Sequence, residues 1–187
     1  MSISTNDLKN GMALDLPSEG LVTVVEFQHV KPGKGGAFVR TKLKKVAGGS
    51  VLERTFRADE KVPLAVIDKR DMQYLYRDGD ALVFMDTETY DQLHVEASAL
   101  GGTVDFLKEG DNAILHMYDG RVVACELPAA VELTVSETEP GVQGDRVSGA
   151  RKPATLETGF VVQVPLFVNI GDRVKVDTRS GEYLSRS

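Results

Sequence analysis

The chain has 187 residues, 42% of them hydrophobic, with 22 basic against 28 acidic residues and a net charge of −6. That composition supports folded cores and argues against a disordered chain, and its acidic balance limits indiscriminate nucleic-acid binding. One cysteine, Cys125, rules out an intrachain disulfide and a cysteine zinc framework.

Residues 1–7 lack a basic, then apolar, leader pattern, and no run approaches the length of a membrane helix, so the expectation is a cytoplasmic protein with no membrane partner. The first strong strand signal is residues 21–27, β-branched and apolar. After a short link come residues 37–43, where side chains alternate with period two. The link, residues 31–36, reads Lys-Pro-Gly-Lys-Gly-Gly. Pro32 presets one backbone angle, while Gly33, Gly35 and Gly36 permit positive φ and, lacking a Cβ, let another molecule approach the backbone. The pair therefore reads as a hairpin whose tip presents Lys34 with little beside it to pack against.

On the second strand Phe38, Arg40, Lys42 and Lys44 share one face, and Ala37, Val39, Thr41 and Leu43 the other. Between His29 and Arg57 the cations Lys31, Lys34, Arg40, Lys42, Lys44, Lys45, Arg54 and Arg57 stand against Glu53 alone. A positive patch on an acidic protein suits docking to a polyanion in one orientation. Local chemistry alone would make the lysine merely solvated and the basic face a guard for a sheet edge. A phosphate-binding loop is excluded, because Gln28 and Gly35 hold the places where that loop needs a glycine and a Ser or Thr.

Further strand-like runs follow at residues 51–56, 72–76, 81–85 and 113–118, with turns at 77–80 and 118–121, and the Asp119-Gly120 pair suits a type I′ hairpin. One short helix is expected between Val95 and Leu107. Cys125 ends the apolar run 122–125, where a buried, unreactive thiol is expected. Runs at 131–135, 159–164 and 173–176 complete the pattern, separated by a loop-rich stretch from Glu137 to Lys152. Proline interrupts near Pro63-Leu64 and Leu127-Pro128, which divides the chain into residues 1–64, 65–127 and 128–187. The reading is all-β, three small barrels on short linkers, a body suited to spanning rather than enclosing. His29, His94 and His116 fall in no metal-binding pattern, and neither a serine nucleophile elbow nor a dinucleotide fingerprint is present, so no enzyme, metal or cofactor is expected.

Three separated motifs carry a family resemblance. They are the tip at residues 31–35 followed by Ala37-Phe38-Val39-Arg40, the central residues 86–92 (Asp-Thr-Glu-Thr-Tyr-Asp-Gln), and the closing stretch from Lys152-Pro153-Ala154-Thr155 through residues 164–168 to 171–183. In this order they resemble bacterial translation elongation factor P, nearly end to end. The resemblance implies an L-shaped molecule, similar in outline to a tRNA, with an SH3-like (KOW-like) N-terminal domain and two OB domains. It implies binding to the ribosome between the peptidyl-tRNA and exit sites, without GTPase activity, and relief of stalling at consecutive prolines. Lys34 then reaches toward the CCA end of peptidyl-tRNA, either bare or extended by a modifying enzyme. Pro32, Gly33, Gly35 and Gly36 allow close approach to RNA, and Lys31, Arg40, Lys42 and Lys44 offer contacts to tRNA or ribosomal RNA. Gly144, Asp145, Arg179, Tyr183 and Arg186 are the corresponding expectation for ribosomal contacts of the third domain, and the protein is expected to act as a monomer. The alternative from another class is a general OB-fold binder of single-stranded RNA, disfavoured by an aromatic content of 6% with no tryptophan.

Overall fold

The structure is a computed structural model that describes residues 1–141 and 149–187. Its described residues form sixteen strands and very little helix. In chain order the first strands are β1 (Ser2–Ser4), β2 (Ala13–Leu16), β3 (Gly20–Val30), β4 (Phe38–Lys45), β5 (Val51–Arg57) and β6 (Lys61–Ala65). Next come β7 (Asp68–Asp78), β8 (Ala81–Asp86) and β9 (Gln92–Glu96), then a single helical turn, α1 (Ala97–Leu100), that runs into a 3-10 helix at Gly101–Phe106. The chain continues with β10 (Asn112–Tyr118), β11 (Arg121–Glu126), β12 (Ala130–Thr138), β13 (Arg151–Leu156), β14 (Val161–Pro165), β15 (Arg173–Asp177) and β16 (Tyr183–Arg186).

These strands make three sheets, ordered β1-β6-β2-β3-β4-β5, β11-β10-β7-β8-β9 and β14-β13-β12-β15-β16. The chain divides into two compact units, Met1–Lys69 with His116–Ala124, and Arg70–Leu115 with Cys125–Ser187. In the first unit the alternating side chains of β2, β3 and β4 bury Leu14, Leu16, Val22, Val24, Val39 and Leu43 against Leu8, Phe56 and Val62. Each fully buried Leu or Val contributes roughly 1.5–3 kcal/mol relative to exposure, so this small core is sufficient to hold a long hairpin in place. In the second unit Leu133, Val135, Leu156, Val164, Val174 and Val176 form a core that Phe106 joins, its ring 4.8 Å from that of Phe160.

Several local readings need correction. Pro63, read as a break, lies inside β6, where it faces Ser2 of the short β1, and pairing with β2 begins only at Leu64. The missing N–H therefore falls where one flank of the strand has no partner in β2. The expected helix is a single turn followed by 3-10 geometry, with a positive φ of 57° at Gly101 between them. Cys125 is half-buried rather than buried, although burial still pushes its thiol up to about 11. The Asp119-Gly120 turn has positive φ at both residues, 51° and 73°, as a type I′ hairpin requires.

Candidate nucleic-acid interface

Lys34 stands at the end of the β3–β4 hairpin, and every residue from Lys31 to Gly36 is exposed. Of the three tip glycines only Gly35 uses the left-handed region, at φ 113°. A Cβ added at Gly33 or Gly36 would meet nothing within 4 Å. The backbone therefore requires glycine at Gly35 alone, and at the other two positions small size serves only what lies outside the protein.

The strands below the tip are long and paired in register from Val30↔Phe38 to Val22↔Lys45, with one shift between Val24 and Glu26. That bulge makes Val25 the extra residue and turns Glu26 and Gln28 to the face opposite Val22 and Val24. Val39, Thr41 and Leu43 are buried, while Phe38, Arg40, Lys42 and Lys44 face outward, as alternation requires.

Pairing across β3, β4 and β5 arranges the outer face in rows. Lys42 lies between Glu26 and Glu53, with its ammonium 3.5 Å from the Glu26 carboxylate. Arg40 lies between Gln28 and Thr55, and its guanidinium sits over the Phe38 ring at 6.0 Å. Lys44 faces Thr23 and Val51. Arg54, counted with the patch in the sequence, pairs with the Glu19 carboxylate and stacks on Phe56 at 4.8 Å. The positive patch is thus narrower than the run of residues suggested, because Glu19 and Glu26 come from outside that run to meet two of its cations. An open groove of about 530 Å³ on this face is lined by Glu26, Gln28, Arg40, Lys42 and Glu53.

In the second unit, Arg179 sits in the β15–β16 turn. Its N–H and that of Ser180 donate to Asp177 Oδ1 at 2.8 and 2.9 Å, and these bonds hold the Asp177 carboxyl below its ordinary range. The β8–β9 turn repeats the scaffold: Glu88 and Thr89 donate to Asp86 Oδ1 at 2.8 and 3.1 Å, and the Asp86 carboxyl is lowered for the same reason. The residue that closes each turn is left-handed in both, Gly181 at φ 74° and Tyr90 at φ 64°. A register shift in β16 sets Tyr183 opposite Val176 and Arg186 opposite Val174, so both lie on the side of the sheet that carries those core valines. Tyr183 packs on the core, and Arg186 covers Phe167 at 5.0 Å and lies 3.7 Å from Asp172. Gly144 and Asp145 lie outside the described residues. The structure brings the tip glycines, Lys34 and Arg40 to one hairpin, and Arg179, Tyr183 and Arg186 to one turn and its following strand. Sequence reading missed Glu26 and Gln28, whose place on the outer face depends on a bulge that leaves only the faint signal of consecutive Val24-Val25 before Glu26, and Thr55, whose place beside Arg40 is set by the β4–β5 register.

The arrangement, a β-sheet domain that projects a lysine hairpin with further antiparallel sheets after it, shares its fold with solved translation factors. The structure of eukaryotic translation initiation factor 5A from Methanococcus jannaschii superposes with a TM-score of 0.51 at 25% identity, over 65% of this chain and 89% of that one. A translation initiation factor eif-5a family protein from Naegleria fowleri shares the fold with a TM-score of 0.54 at 16% identity, over 68% of this chain and 98% of that one.

The chain belongs to the elongation factor P family. Residues 4–62 match the elongation factor P KOW-like domain, 67–125 the elongation factor P OB domain and 131–186 the elongation factor P C-terminal domain. Elongation factor P from Acidothermus cellulolyticus is 62% identical over 184 residues, 98% of each chain. That from Streptomyces coelicolor is 60% identical over 183 residues, 98% of this chain and 97% of its own. The protein is a translation elongation factor with an all-β architecture of KOW-like and OB domains.

Proposed function

We propose that this factor binds the ribosome between the peptidyl-tRNA and exit sites and stimulates peptide-bond formation at consecutive prolines. It does so by holding the CCA end of peptidyl-tRNA. The observation that carries the reading is Lys34, presented at an exposed glycine tip on a hairpin rooted in a buried core, in a chain of this family. Proline is a constrained substrate, and a peptidyl-tRNA free to wander spends little time in reactive geometry. Fixing its acceptor end removes part of the entropic barrier. The ribosome remains the catalyst and the factor is not an enzyme.

In this reading Lys34 supplies charged hydrogen bonds to RNA backbone groups, with or without extension by a modifying enzyme, and Gly33 and Gly36 leave room for the RNA. Lys31, Arg40 and Lys44 are candidate positioning contacts that carry no sequence code, whereas Lys42, expected with them, is engaged by the Glu26 carboxylate 3.5 Å away. Arg179, Tyr183, Arg186 and the Gly144-Asp145 segment are candidate contacts of the third domain with the ribosome. The protein works in the cytoplasm as a monomer built from residues 1–64, 65–127 and 128–187. The test is tripeptide formation by ribosomes translating a proline-proline message, with and without the purified protein. A rate increase confined to proline contexts is expected. Equal rates with and without a protein whose mass shows an extended Lys34, or tight binding to free single-stranded RNA without ribosomes, would overturn the reading.

A further inference from the structure

The cations on the outer face of β3, β4 and β5 are not equivalent, and cross-strand register separates them. Lys42 has a carboxylate on each side, Glu26 and Glu53. Arg40, one row nearer the tip, has Gln28 on one side and Thr55 on the other, all three exposed. The cation with two acidic neighbours has its charge largely answered at home, and opposite charges directly across a sheet favour that pairing. Arg40 keeps its charge for an outside partner, and its planar guanidinium is the group best shaped to grip two oxygens of one phosphate.

We propose that the row Gln28-Arg40-Thr55 is the seat of a single RNA phosphodiester, with Arg40 as the phosphate-binding group. The row Glu26-Lys42-Glu53 is the boundary that keeps RNA from running further down the sheet. The inference rests on the ribosomal reading above and deepens it.

Three features fit this ligand. The amide of Gln28 and the hydroxyl of Thr55 are uncharged hydrogen-bonding groups on either side of the cation, suited to a phosphate oxygen and a neighbouring 2′-hydroxyl. Gln28 and Arg40 both line the open groove, which also takes in Asn10, Phe27, Thr41 and the boundary row but not Thr55, so the seat lies on the Gln28–Arg40 side of that groove. Arg40 follows Phe38, the first residue of β4, by two positions. At about 3.3 Å per residue it stands roughly 7 Å below the root of the tip, within reach of the strand that meets Lys34. Two carboxylates below this row repel a second phosphate, so the seat takes one.

The test compares Arg40→Gln, Lys42→Gln and Thr55→Glu in tripeptide formation on a proline-proline message, measuring the half-saturating factor concentration across a range of salt. Thr55→Glu sets beside Arg40 the carboxylate that Glu53 sets beside Lys42. Arg40→Gln and Thr55→Glu are each expected to raise the half-saturating concentration about tenfold, the usual effect of one charged hydrogen bond, and to reduce the salt slope by about 1. Lys42→Gln is expected to stay within about twofold. All three side chains are exposed or paired at the surface, so unchanged thermal unfolding accompanies these results. Binding to ribosomes with and without peptidyl-tRNA locates the phosphodiester. A defect of Arg40→Gln confined to the tRNA-filled ribosome assigns it to tRNA, and a defect on both assigns it to ribosomal RNA. Equal potency and salt slope for Arg40→Gln and wild type would overturn the proposal, as would an equal loss for Lys42→Gln. Lys34→Ala run alongside separates the two readings: if it too is fully active, the ribosomal reading itself has failed.

Discussion

The tip glycines separate two reasons for conserving space that are usually confounded. At Gly35 the backbone has φ 113°, and an added Cβ would meet only Pro32 Cγ at 3.9 Å, so Gly35→Ala is a purely conformational perturbation. The left-handed region costs an L-residue about 1–2 kcal/mol. That is a factor of about 5–30 in the population of the native tip. The tip is exposed and rooted in strands it does not stabilise, so it relieves the strain by rearranging locally and the global unfolding midpoint stays put. The concentration of Gly35→Ala giving half-maximal tripeptide formation on a proline-proline message is therefore expected to rise by about 5–30-fold, while circular dichroism reports an unchanged melt. Gly33 lies outside the left-handed region and an added Cβ meets nothing within 4 Å. Any loss in Gly33→Ala must come from a bound partner. Wild-type activity for Gly35→Ala would refute the claim that tip conformation matters, and a large drop in its melting temperature would refute the claim that the tip is decoupled from the core.

Other outcomes follow from the same geometry. Gly181→Ala combines a φ of 74° with a Cβ 3.1 Å from Phe160 Cζ, so it should destabilise the protein by about 1–3 kcal/mol in denaturant unfolding. Tyr90, at φ 64° in the twin turn and exposed, predicts the opposite sign, and Tyr90→Gly should be neutral or stabilise by up to about 1 kcal/mol in the same measurement. The Asp177 carboxyl is lowered from its ordinary value of 3.8 by the N–H groups of Ser180 and Arg179. Its contribution to the turn is therefore complete above that value and disappears as pH falls through the lowered one. The amide resonances of Arg179 and Ser180 should titrate with a midpoint below 3.8, and Asp177→Asn should abolish that titration. With its thiol pushed up to about 11, Cys125 should react with a maleimide far more slowly than glutathione at pH 8 and accelerate only upon unfolding.

The long strands and the tip were legible because their signals are local. Residues 31–36 contain their own turn chemistry, and the alternation through residues 38–43 survives as β4. The strands missed include three whose pattern is too short or contrary. β1 has three residues, β2 reads Ala-Leu-Asp-Leu without β-branching, and β13 carries Pro153 and a buried Lys152 whose ammonium donates to the Glu139 carbonyl. A lysine inside is invisible to a hydrophobic pattern because its partner is a backbone carbonyl. The charge arithmetic of the basic face was misread for a related reason. Which carboxylate meets which cation depends on long-range register and on the bulge after Val24, and neither is written in the spacing of residues 29–57.

The central claim is that this factor works through Lys34, and the most direct measurement is tripeptide formation on a proline-proline message by wild-type protein and Lys34→Ala, with intact mass taken on both preparations. Acceleration by wild type is expected, with little or none by Lys34→Ala, identical melting curves, and no difference between the two on a message without consecutive prolines. Equal acceleration by the two proteins would contradict that claim.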